Sequence, residues 1–256
     1  MNTKYRIEQT DIFNQGKKIY GEFYIPDLKT FPLVIICHGF GGTHYGTKDL
    51  AEVFASNGTG AFIFDFCGGS SESLSDGKTT EMSVLTEADD LFTVLDEMKK
   101  NPLVDKGKIF LIGKSQGGYV TTYVAAHRVD DVAAMVLWYP AYVIDDDAQE
   151  KLDKYPPFID EMDVMGTKIS RKYNLDAVSA NIYNWMRPFY KDVLIIHGTA
   201  DSIVPVSYAQ EAAETFPNAK LITIEGAEHG FHGLERPNVI RMTFDFINEH
   251  LSRCII

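Results

Sequence analysis

The chain has 256 residues, 45% of them hydrophobic, and a formal net charge of -12. That length and apolar content allow one large core, so residues 1–256 are expected to form a single domain. The acidic balance argues against nucleic acid or an anionic membrane surface as a partner, because both reward clustered Lys and Arg. The start, MNTKYRIEQT, has no apolar h-region and no stretch approaches bilayer length, so neither a signal peptide nor a membrane span is expected and the chain should be cytoplasmic. Cys37, Cys67 and Cys254 are odd in number and widely spaced, which fits reduced thiols better than a disulfide framework. Cys254 stands one position short of a prenylation box.

In chain order, KKIYGEFYIP (17–26) and FPLVIICHG (31–39) have the composition of strands, the second apolar enough to be buried on both faces. GAFIFDF (60–66) is a third. From Ser83 to Lys100 the apolar residues Val84, Ala88, Leu91, Leu95 and Met98 fall at helical spacing. KIFLIG (108–113) is the next strand, followed by a glycine-rich turn and a helix reaching His127. AAMVLW (133–138), DVLIIHG (192–198) and KLITIEG (220–226) complete the series, with a helix beginning near Val206. Strands alternating with helices predict a mostly parallel sheet covered on both faces. The rhythm breaks between Trp138 and Phe189, a stretch dense in amphipathic aromatics, as an inserted cap over the strand ends would be.

Gly113, Ser115 and Gly117 give the spacing G-x-S-x-G at the end of one strand and the start of a helix. Ligands of such sheets lie beyond the carboxyl ends of the strands. A serine is a poor nucleophile until a base takes its proton, and a sharp turn that lifts its hydroxyl clear of the sheet leaves no room for side chains two positions before and after it. Asp201 and His229 follow in the loops after two later strands. His229 would accept the Ser115 proton and Asp201 would orient the imidazole. Asp201 could instead be a turn or cap residue before the helix near Val206. Asp192 precedes its strand and should lie at the opposite edge. Of the other histidines, His250 belongs to a surface helix, His127 lies near a helix end, His197 sits inside a strand-end sequence, and His232 is a minor rival of His229.

The order Ser115, Asp201, His229 resembles that of the α/β-hydrolase fold. That resemblance implies an oxyanion hole made by the backbone N–H groups of Phe40, in the loop HGFGG, and Gln116. HGFGG, FDFCGGSSESLSDGK, GKSQGG, HGTADSIVP and GAEHGF together resemble the bacterial cinnamoyl (feruloyl) esterases over nearly the whole chain. Three positions depart from that family: Lys114 stands where it usually carries histidine, and Cys67 and Gly69 alter its glycine-histidine-glycine turn. Lys114 is expected to affect packing or the surface before catalysis.

The resemblance implies cleavage of hydroxycinnamate esters, a cap at 138–189 holding the aromatic acyl group, and Asp147 and Tyr173 as contacts of the phenolic hydroxyls. The run Asp145-Asp146-Asp147 could equally be a solvated patch. No phosphate loop, dinucleotide fingerprint or zinc-ligand spacing is present, so no metal or cofactor is expected and the partner is a small-molecule ester. A homodimer is left open. The same residues suit a general acyl esterase or monoacylglycerol lipase, a thioesterase or a serine aminopeptidase. From another class, they suit a hydrolase-fold protein that binds a ligand without turnover.

Overall fold

The computed structural model describes residues 3–253, so Cys254 lies outside the described residues. Its first hairpin is not announced by hydrophobic pattern. Strand β1 (Tyr5–Asn14) pairs antiparallel with β2 (Lys17–Pro26) through Gln15 and Gly16, both at positive φ (49° and 84°). Two left-handed residues make the tight turn whose twist matches paired strands. β1 is an edge on which only Ile12 is fully buried, which is why its sequence shows little apolar alternation.

The central strands follow: β3 (Phe31–Cys37), β4 (Gly60–Phe64), β5 (Val104–Lys114), β6 (Ala134–Trp138), β9 (Val193–Gly198) and β10 (Ala219–Ile224). The eight-stranded sheet has the order β1-β2-β4-β3-β5-β6-β9-β10. β2 runs antiparallel to both neighbours and every pair beyond it is parallel. Side chains alternate across each strand, so the core divides into two clusters. Val34, Ile36, Ile63, Ile112, Val136 and Ile196 face helices α1 (Lys48–Ser56) and α7 (Glu235–Arg253). Leu33, Ile35, Phe62, Leu111, Leu137 and Ile195 face α2 (Val84–Lys100), α3 (Gln116–His127) and α6 (Val206–Thr215). This is the α/β-hydrolase fold.

Helix α2 starts where its sequence predicts, because Ser83 accepts from the Thr86 N–H while the Thr86 hydroxyl accepts from the Ser83 N–H. The segment 138–189 leaves the sheet after β6. It forms α4 (Ile144–Lys154), a separate hairpin of β7 (Glu161–Val164) and β8 (Thr167–Ser170), α5 (Arg171–Ala180), and a short 3-10 turn at Ile182–Trp185. Cys37 and Cys67 are free and buried. Among the described residues no helix is long and apolar enough to cross a membrane.

Candidate active site

Strand β5 ends at Lys114 and α3 begins at Gln116, leaving Ser115 alone in the turn with φ 52° and ψ -121°. A non-glycine residue held there is strained and persists only where its surroundings fix it. Backbone bonds to the neighbouring strand loop help to fix it: Ser115 N–H donates to Trp138 O at 2.9 Å, and Ala141 N–H donates to Ser115 O at 3.0 Å, beside the first turn of α3, where Gly118 N–H donates to the same carbonyl at 2.9 Å. The flanking glycines are obligatory by contact. A Cβ on Gly113 would lie 2.4 Å from Gly117 O, and one on Gly117 would lie 2.3 Å from His38 O.

Ser115 Oγ lies 3.0 Å from His229 Nε2, and His229 Nδ1 lies 2.7 Å from Asp201 Oδ2. These partners assign the proton of the neutral imidazole to Nδ1, leaving Nε2 to accept from the serine hydroxyl. Asp201 Oδ1 accepts from the backbone N–H groups of Ile203 (3.0 Å) and Val204 (2.8 Å). Burial alone would raise the Asp201 carboxyl, but hydrogen bonds from His197, His229 and the Val204 N–H outweigh it and hold the group well below the usual carboxylate range. The Tyr139 ring packs on His229 with centroids 4.5 Å apart.

The rival residues have other partners. Asp192 bonds His250 Nε2 at 2.8 Å, one position before β9 and so at the far end of the strand from Asp201. His127 stacks on Tyr123 and Trp185. His232 bonds Glu235 through its backbone N–H. His197 is the residue that spacing undervalued: it is fully buried, its Nε2 lies 2.8 Å from Val204 O and 3.3 Å from Asp201 Oδ2, and its Nδ1 has no hydrogen-bond partner among the described residues. It ties the acid loop to the end of β9.

His38 was also missed. Its buried ring donates from Nδ1 to Gly39 O (2.8 Å) and accepts at Nε2 from the Phe66 N–H (3.2 Å), so it pins the loop after β3 to the loop after β4. Burial pushes its pKa down, which keeps the ring neutral. The loop so held abuts the serine: a Cβ on Gly39 would stand 2.9 Å from Ser115 Cβ. Among the described residues, the backbone N–H groups of Phe40 and Gln116 donate to no other group.

A cleft of about 210 Å³ opens at Ser115, walled by Phe40, Tyr139, Met165, Ile203 and His229. Met165, at the turn between β7 and β8, is a wall residue the sequence did not suggest. Lys114 Nζ donates to Gly46 O at 2.9 Å, 5.8 Å from the Trp138 ring, and bonds no member of the relay. Burial, aided by nearby Arg236, pushes its amine down to about 8.

The structure treats the two expected phenol contacts differently. Tyr173 is buried and donates to Gln116 Oε1 at 2.5 Å. Asp147 is 53% exposed, faces Lys151 at 3.9 Å, and does not line the cleft at Ser115. The carboxylate of that run turned inward is Asp145, which accepts from Tyr119 Oη (2.6 Å) and the Ile182 N–H (2.8 Å). Of the segment's aromatics only Tyr139 walls the cleft. Tyr142, Tyr183 and Trp185 pack on one another or on α3, and Phe158 is exposed.

The chain is 24% identical over 273 aligned residues to acylamino-acid-releasing enzyme 1 of Oryza sativa subsp. japonica; the match covers 91% of this chain but 32% of that enzyme, about a third of its length. It is similar to the structure of Est1E from Butyrivibrio proteoclasticus with ferulic acid bound, at 26% identity and a TM-score of 0.87, covering 95% of this chain and 99% of that one. It shares its fold with the α/β-hydrolase GrgF from Penicillium sp. sh18, at 19% identity and a TM-score of 0.79, over 96% and 99% of the two chains. The model of the prolyl oligopeptidase family matches residues 47–254. With a family model spanning most of its length, the chain belongs to the prolyl oligopeptidase family and is an enzyme of the serine-hydrolase type.

Proposed function

We propose that the chain is a carboxylic ester hydrolase working through an acyl-enzyme on Ser115, that hydroxycinnamate esters are its preferred substrates, and that the segment 138–189 is a cap over their acyl group. The observation that carries the first part is the unbroken line from Ser115 Oγ, on a serine held at positive φ, through His229 to Asp201, at 3.0 and 2.7 Å. Ser115 Oγ adds to the ester carbonyl as its proton passes to His229 Nε2. The carbonyl oxygen becomes an anion facing the Phe40 and Gln116 N–H groups. Collapse expels the alcohol, which takes the proton from His229. Water, activated by the same imidazole, then releases the acid and restores Ser115.

The likeness to Est1E with bound ferulic acid supports an aromatic acyl group, as do the Phe40 and Tyr139 rings beside Ser115. The rice relative favours a second reading, release of N-acylated amino acids by the same acyl transfer. The test is kcat/KM for methyl ferulate, methyl cinnamate, p-nitrophenyl butyrate and N-acetylalanine p-nitroanilide. The hydroxycinnamate reading predicts that methyl ferulate exceeds methyl cinnamate by about 10-fold or more. Preference for the anilide would replace this reading with the acylaminoacyl one, and preference for butyrate with a general acyl esterase.

A further inference from the structure

Both N–H groups assigned to the oxyanion belong to residues whose side chains meet one residue of the inserted segment. Tyr173, on α5, donates its hydroxyl to Gln116 Oε1 at 2.5 Å. Its ring stands edge-on to Phe40, with centroids 6.2 Å apart and planes at 76°. The far side of the Gln116 amide is held more loosely, by Met82 Sδ at 3.7 Å and by the buried Glu87 carboxyl, whose Oε2 has no partner among the described residues. Gln116 is the first residue of α3 and follows a serine in a strained conformation, so its peptide needs anchoring from outside the helix. The Phe40 loop has its own tether through His38, but the ring that carries its far side rests on Tyr173.

We propose that Tyr173 is a positioning residue of the oxyanion hole, fixing Gln116 through its amide and Phe40 through its ring, so that the inserted segment sets the rate of acyl transfer as well as covering the cleft. The proposal rests on acyl transfer at Ser115. It differs from a phenol-binding role in that the one hydroxyl proton of Tyr173 is already committed to Gln116. A substrate-hydroxyl contact would affect only esters that carry that hydroxyl, whereas an oxyanion anchor affects every acyl group.

Removing an oxyanion donor outright costs roughly 10²- to 10³-fold in kcat, and loosening one should cost less, about 10-fold. Tyr173→Phe, Gln116→Met and the double variant are compared on methyl ferulate and p-nitrophenyl acetate, with thermal melting to confirm folding. The expected result is an equal fall in kcat on both esters, KM within about 2-fold, and a double variant no slower than the slower single one, because both substitutions cut the same bond. A loss confined to methyl ferulate, a loss carried by KM, or additive effects in the double variant would overturn the proposal. Wild type that neither turns over these esters nor reacts with a fluorophosphonate would overturn the acyl-transfer reading beneath it, a failure visible before any variant is made.

Discussion

Asp201 is a carboxylate kept ionised in a buried place by donors on both oxygens: two backbone N–H groups on Oδ1 and imidazole nitrogens on Oδ2. In the mechanism we propose, its role is to fix the His229 tautomer. Asp201→Asn should therefore lower kcat by roughly 10⁴ with the fold intact. Asp192→Asn, at the other end of β9, should leave kcat within about 2-fold, since its partner is His250. Steady-state rates on p-nitrophenyl acetate check both, and a larger effect at Asp192 would move the acid role there. The convergence of Ser115, Asp201 and His229 was legible because each falls just past the end of a strand of one sheet. His38 and His197 were not, because their work is to tie loops together: His38 reaches Phe66, 28 residues along the chain, a contact that spacing cannot announce.

Helix α4 carries three successive aspartates at its start, and a step of about 100° per residue points them in three directions. Asp145 faces Tyr119 on α3 and the turn after α5, Asp146 accepts from Tyr208 on α6, and Asp147 faces solvent. Asp145 thus fastens the inserted segment to the body. Loss of its two charged hydrogen bonds in Asp145→Ala should cost about 2 to 3 kcal/mol in urea unfolding. Asp147→Ala should stay within about 0.5 kcal/mol. Equal effects would mean that the segment is not held through Asp145. The broken rhythm set this segment apart from the strand-helix series, but could not phase a helix whose polar residues run through the buried position. β1 escaped notice for a related reason: an edge strand with one buried residue has no apolar period to read. The central strands were legible because they are apolar on both faces.

At the scale of the molecule, two apolar clusters flank one sheet, and Glu87 is buried at the boundary between the α2–α3 face and the site. Burial pushes its carboxyl from the ordinary 4.5 up to about 8, partly offset by the bond from Gln116. The folded state therefore holds this proton more tightly than the unfolded chain. The contribution is intact below about 4.5 and is lost as pH rises through about 8. Glu87→Gln keeps the shape and stays neutral, so its melting temperature should gain on wild type by roughly 5 to 10 °C between pH 5 and pH 9. A gap that does not change with pH would show that Glu87 is already ionised in the folded protein.

Covalent labelling shows whether the chemistry passes through Ser115. A fluorophosphonate should add once to the intact protein, with the mass increment mapping to the peptide that contains Gly113 to Tyr119, and Ser115→Ala should lose both the adduct and ester turnover while melting like wild type. An unlabelled wild type, an adduct on another residue, or substantial turnover in purified Ser115→Ala would rule out Ser115 as the nucleophile.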